Sequence, residues 1–146
     1  MTATRTVTTK LEFPYSRTLG PVIGRFASGL REQRLLASRT AAGKVLMPPL
    51  EYDPETGDSV ESELVEVGPG GTVESWTWVA SPSGRHPVDR PFAFALIKVD
   101  GAETGLVHLL TAASPDDIST GMRVTPRWRD ERVGKITDIE GWEAET

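Results

Sequence analysis

The chain has 146 residues and an apolar fraction of 38%, enough for one domain, or a small domain with an appendage, around a core of useful size. It has no cysteine and only two distant histidines, His86 and His108, which excludes disulfides and thiolate metal sites and leaves no conventional zinc centre or Ser–His–Asp triad. The net charge of −5 is split unevenly, +2 over residues 1–60 and −7 over residues 61–146, so the C-terminal half should repel a phosphate backbone.

Residues 1–15 are Thr-rich, lack the apolar stretch of a secretory signal and read as an arm that orders only on contact. No run of about 18 apolar residues exists to span a membrane, so the expected location is the cytoplasm, away from membranes. Leu19, Val22, Ile23, Phe26 and Leu30 recur at helical spacing and predict a short helix over 19–31. Gly20, Gly24 and Gly29 weaken it, so its stability must come from packing. Its apolar stripe faces either its own barrel or a partner.

Residues 33–39 and 44–47 read as two short strands around a turn at 40–43, and Pro48–Pro49 ends the second. Residues 53–57, Asp-Pro-Glu-Thr-Gly, form another tight turn. The result is a small two-turn unit with almost no core of its own. The domain division is therefore 1–60, arm, helix and two-turn unit, followed by 61–146, a β-barrel.

In that second part, strands are predicted at 73–80, 92–99 and 106–111. Ser114 then reads as an N-cap before Pro115, with Gly121 closing a short helix. A fourth strand at 122–130 alternates cleanly, Met122, Val124, Pro126 and Trp128 against Arg123, Thr125, Arg127 and Arg129. A weaker fifth runs over 136–142. Three strands, a short helix and two strands is the order of a five-stranded oligonucleotide/oligosaccharide-binding (OB) barrel; a small SH3-like barrel competes but needs no such helix. The fold class is mainly β.

The stretches Gly43-Lys44-Val45-Leu46-Met47-Pro48-Pro49 and Tyr52-Asp53-Pro54-Glu55-Thr56-Gly57 resemble the paired Cys-x-x-Cys turns of a known family. That family comprises acyl-CoA-associated OB-fold proteins with a rubredoxin-like zinc ribbon. Residues 71–77, 91–97 and 121–124 resemble its first, second and fourth barrel strands. The ribbon spacing persists without its ligands, whose positions fall at Arg39, Ala42, Asp53 and Thr56. The resemblance implies a degenerate, zinc-free ribbon and no tightly bound cofactor. It also implies a non-catalytic accessory subunit of a thiolase-superfamily enzyme, a thiolase or a lipid-transfer-protein-like retro-aldolase. Such a hetero-oligomer would act on an acyl-CoA thioester, in steroid side-chain degradation, and the CoA thioester is the one ligand expected nearby. The alternative is a free-standing OB module binding single-stranded nucleic acid or a small ligand, against which the acidic barrel half counts.

No catalytic or metal-binding residue is assigned. The positions expected to meet a partner or CoA are Phe26, Leu30, Trp76, Trp78, Arg85, Arg90 and Arg127. Trp76 and Trp78 share a strand face with Glu74, opposite Val73, Ser75, Thr77 and Val79, and serve either as core and interface or as a stacking platform. The arginines either contact phosphate or form a solvated face balanced by acids. His86 is expected to be a solvated loop residue, His108 a half-buried structural one, and Asp116 and Asp117 helix-capping acids.

Overall fold

The computed structural model describes residues 2–146. The arm, residues 2–19, is exposed throughout and forms no helix or strand. Helix α1 spans Gly20–Arg31, with Pro21 in its first turn, where a missing N–H costs nothing. It buries Phe26, Ala27, Gly29 and Leu30. A Cβ on Gly29 would lie 2.8 Å from Leu36 Cδ1, so glycine is what lets the helix approach the strand beneath it. The helix ends at Gln33, whose φ of 60° is left-handed. The Gln33 N–H donates to the Leu30 carbonyl at 3.1 Å and the Arg34 N–H to that of Gly29 at 2.8 Å, the Schellman pattern. Gln33, expected to open a strand, is instead the helix-terminating residue, and β1 starts two residues later.

Strands β1 (Leu35–Arg39), β2 (Val45–Leu46) and β3 (Val65–Val67) form an antiparallel sheet in the order β2-β1-β3. The third strand was not foreseen, because three residues show no periodicity. Two turns flank the sheet. The Thr40 hydroxyl accepts from the Lys44 N–H at 3.1 Å, and the Asp53 carboxylate accepts from the Glu55 N–H at 2.8 Å. Lys44 Nζ and Glu55 Oε1, 2.8 Å apart, tie one turn to the other.

The barrel comprises β4 (Gly71–Val79), β5 (Phe92–Val99), β6 (Gly105–Leu110), β7 (Arg123–Trp128) and β8 (Ile139–Ala144). It closes in the order β4-β5-β6-β8-β7, with β7 returning to β4 through Gly71↔Val124 and Thr72↔Arg123. Between the third and fourth barrel strands lies a single 3-10 turn, Pro115–Asp117, rather than a longer helix. Ser114 caps it, its hydroxyl accepting from the Asp116 N–H at 3.2 Å, and Gly121 follows at φ 91°. The five-stranded OB barrel expected from the sequence is the fold observed.

Two local readings change. A bulge between Val73 and Ser75 inserts a residue into β4, so Val73 joins Trp76 and Trp78 on the core side instead of facing away from them. Residues 136–138 form a 3-10 turn rather than the start of the last strand. The Asp138 carboxylate accepts the N–H groups of Val133, Gly134 and Lys135 and draws the backbone away from the ladder.

One hydrophobic cluster runs through the molecule, joining Phe26 and Leu30 of the helix, Leu35, Ala37 and Met47 of the small sheet, and Val73, Ile97, Val124 and Trp142 of the barrel. The β5–β6 turn completes the junction. Glu103 N–H donates to the Val45 carbonyl at 2.9 Å, and the Thr104 hydroxyl bridges the N–H and carbonyl of Met47 at 2.7 and 2.9 Å. Among the described residues, no helix is long and apolar enough to cross a membrane.

Candidate functional site

An OB barrel takes ligands on the face of its second and third strands, between the loop joining strands one and two and the loop joining strands four and five. Here that face is β5 and β6, and the loops are residues 80–91 and 129–138. They enclose a cleft of about 370 Å³. Phe94, Val107, His108 and Leu109 line its floor, with Pro87, Val88 and Arg90 from the first loop and Arg129, Ile136 and Thr137 from the second. Val107 is 63% exposed and Ile136 41% exposed, so the cleft presents apolar surface to solvent.

Loop 80–91 is folded onto the sheet by His86. Its Nδ1 accepts from the Ser83 N–H at 2.8 Å, and its ring meets Phe92 edge-on at 5.7 Å, with Phe92 in turn edge-on to Phe94 at 4.8 Å. His86 is thus half-buried and packed, not simply solvated: Pro87 and the Ser83 contact turn the imidazole inward, where its ring edge meets aromatic faces.

Loop 129–138 is held from three sides. His108 Nδ1 accepts from the Leu109 N–H at 2.8 Å, which leaves the proton on Nε2, 3.3 Å from the Ile136 carbonyl. Burial lowers the His108 pKa, only partly offset by the Ile136 and Leu109 carbonyls near its ring nitrogens. Burial alone would raise the Asp138 carboxyl, but three backbone N–H donors and nearby Arg132 hold it below the usual range. Arg132 donates to the Arg31 carbonyl at the end of α1 at 2.8 Å, and Arg31 donates to the Val133 carbonyl at 3.0 Å. The wall of the cleft is therefore fastened to the N-terminal helix. Asp138 and Arg132 were missed in the sequence; only the OB order, which marks the loop before the last strand, pointed there.

The expected contact residues are scattered. Phe26 and Leu30 are buried in the protein's own core. Trp76 and Trp78 are half-buried and pack against that core. Arg127 pairs with Glu140 at 3.0 Å on the outer face of β7 and β8. Its neighbour Arg123 forms a bidentate fork with Asp100 at 2.6 and 2.7 Å, which raises the guanidinium pKa and lowers that of the carboxyl. Arg85 and Arg90 both belong to loop 80–91, and only Arg90 lines the cleft. Among the described residues, neither has an acidic side chain within ion-pair distance. The cleft thus offers an apolar floor, aromatic edges and, at its rim, the Arg90 and Arg129 guanidinium groups beside the Glu140 carboxylate that Arg127 pairs, a combination suited to a ligand with a planar or apolar body and an anionic group on the Arg90 side.

The two-turn unit does not fit a zinc ion. Arg39, Ala42, Asp53 and Thr56 supply one carboxylate and no thiolate or imidazole, and that carboxylate already caps its own turn. Among the described residues, no group of three or more His, Asp or Glu side chains converges elsewhere.

The fold and its cleft define the class: an OB-fold protein carrying an N-terminal helix and a small antiparallel sheet. Residues 64–129 match the family model of the ChsH2 C-terminal OB-fold domain. The chain is similar to one in the solved structure of an Ltp2–ChsH2(DUF35) aldolase, with a TM-score of 0.62 and 22% identity, covering 88% of this chain and 98% of that one. It is also similar to a protein of unknown function from the DUF35 family of Sulfolobus solfataricus, with a TM-score of 0.63 and 19% identity, covering 87% of this chain and 85% of that one. At these identities the structural likeness is one of fold. No curated protein matches the chain. The family resemblance read from the sequence is borne out in its ChsH2-like OB-fold part, while its zinc-ribbon part rests on turn spacing alone.

Proposed function

We propose that this chain is a non-catalytic accessory subunit of a thiolase-superfamily enzyme acting on acyl-CoA thioesters in the cytoplasm. The observation that carries the reading is the likeness to a chain of the Ltp2–ChsH2(DUF35) aldolase, which covers 88% of this chain, more than the barrel alone accounts for. The cleft between loops 80–91 and 129–138 suits the CoA end of the substrate: Phe94 and His108 flank the space for a base, and Arg90 the space for phosphate. On this reading Arg90 serves CoA, the ion-paired Arg127 serves the fold, and the reacting groups belong to the enzyme subunit. Steroid side-chain degradation is the narrower setting we favour.

A tagged chain purified from its native host, with mass spectrometry of co-purifying proteins, tests the subunit reading. A near-stoichiometric thiolase-fold enzyme supports it; a lone, well-behaved monomer overturns it. Titrating the complex with CoA tests the cleft, where Arg90→Ala should weaken binding by roughly tenfold, as expected for one lost charge-assisted contact. An OB face with aromatic edges and free arginines also suits single-stranded nucleic acid. Salt-sensitive oligonucleotide binding by the isolated chain would favour that second reading.

A further inference from the structure

Barrel closure leaves part of β4 with a free edge. The ladder from β4 to β7 runs through Gly71↔Val124 and Thr72↔Arg123. It ends at Val73, whose N–H donates to the Met122 carbonyl at 3.0 Å and whose carbonyl accepts from the Gly121 N–H at 2.7 Å. The bulge between Val73 and Ser75 bends the strand at that point. Beyond it, β4 pairs with β5 from Ser75↔Leu96 to Val79↔Phe92, and among the described residues no strand lies on its other side. In a strand, the face a side chain takes fixes the lateral direction of its own N–H and C=O groups. Trp76 and Trp78 share the core side with Val73, so they aim these groups at the free edge as Val73 aims its own at β7.

Sheet edges are ordinarily guarded by charge, proline or cover. The other open stretches of the barrel are guarded. On β7, Pro126 shares the orientation of Val124 and has no N–H to offer. On β6, the Leu109 N–H is already taken by His108 Nδ1 at 2.8 Å, beside the Ile136 carbonyl of loop 129–138. Residues 75–80 of β4 and its end, Ser-Trp-Thr-Trp-Val-Ala, carry neither charge nor proline. Trp76 and Trp78 are half-buried there and Thr77 is exposed.

The stretch is also self-complementary. When a second copy is turned antiparallel about Thr77, Trp76 of each copy lies opposite Trp78 of the other. The outward N–H groups of one copy then meet the outward carbonyls of the other. Thr77 faces its counterpart, a favourable cross-strand pair, and the indoles of the two copies lie side by side. Glu74 falls opposite Ala80 rather than another acid. The barrel half carries a charge of −7, so copies repel each other across most of its surface and least along this uncharged edge.

We propose that two copies of this chain pair antiparallel through residues 75–79 of β4, joining two barrels into one continuous sheet across a twofold axis. This does not depend on the accessory-subunit reading, because the chain alone should show it.

The experiment is sedimentation equilibrium of the full chain over a range of concentrations, beside the variants Thr77→Lys and Thr77→Glu. Thr77 is exposed, so neither change reaches the core. The parent should dimerise. Each variant sets like charges opposite each other at the twofold axis and should weaken the dimer by roughly tenfold or more. An equimolar mixture of the two should restore it as a heterodimer, which misfolded variants would not do. A parent that stays monomeric up to millimolar concentration overturns the proposal; the edge then belongs to another protein if Thr77→Lys reduces what co-purifies with the chain. A dimer that both variants keep overturns it by placing the contact on another face. So does a dimer kept by Thr77→Lys but lost on deleting residues 2–19, which would mean that the arm pairs with the second copy. Weakened variants that the mixture fails to restore overturn it as well.

Discussion

Asp138 has more depending on it than any other single side chain near the cleft. It is 1% exposed and accepts three backbone N–H groups at 3.0, 2.7 and 3.1 Å. Asp138→Ala orphans those donors and should cost about 2–3 kcal/mol. Because its folded pKa is lowered, the stability it contributes is present above about pH 4 and lost as the pH falls through the folded value. His108 also has a lowered folded pKa, so its contribution is lost as the pH drops below about 6.5. Melting temperatures measured between about pH 7 and pH 3 should fall in both windows, and Asp138→Ala should flatten only the lower one. Neither role is visible in the sequence, where Asp138 is one acid among many and His108 sits in an apolar run. The Asp138 partners are local, in the loop just before it, whereas His108 meets Ile136 only because the barrel brings that loop near.

At the scale of elements, the ends of α1 give a paired test. Gln33 holds a left-handed φ of 60° that glycine adopts freely, so Gln33→Gly should raise stability by about 0.5–1 kcal/mol. Gly29 faces Leu36 at a distance no side chain tolerates, so Gly29→Val should lower it by about 1–3 kcal/mol. Chemical denaturation of the two variants beside the parent checks both signs. Element order was largely legible: Phe92–Val99 was read to the residue, and the alternation of Val124 and Pro126 against Arg123 and Arg127 appears in their burial. What was not legible depends on context. The β4 bulge reverses the facing of Val73 relative to Trp76, and no residue type in that stretch signals it. Val65–Val67 becomes a strand only because β1 lies beside it, at Leu35↔Val67.

For the whole molecule, the shared core and the Thr104 and Glu103 contacts join the N-terminal elements to the barrel. All four tryptophans, Trp76, Trp78, Trp128 and Trp142, lie in the barrel, whereas the only α-helix among the described residues is α1. Tryptophan emission therefore reports the barrel, and ellipticity at the helical band reports the N-terminal part. The two unfolding curves should coincide as one transition. Two separated transitions would mean that the junction is weaker than its contacts imply. The candidate cleft was legible only by position: barrel order fixes which loops flank it, but its residues come from 87–94, 107–109 and 129–140, which no local pattern connects.

The Lys44–Glu55 pair has a consequence for how the molecule meets its surroundings. It spans the two turns without a thiolate that peroxide could oxidise or a metal that must first be acquired. Redox state therefore leaves this link between the turns unchanged. Its sensitivity is instead to ionic strength, since an exposed pair of this kind loosens as the surrounding electrolyte thickens.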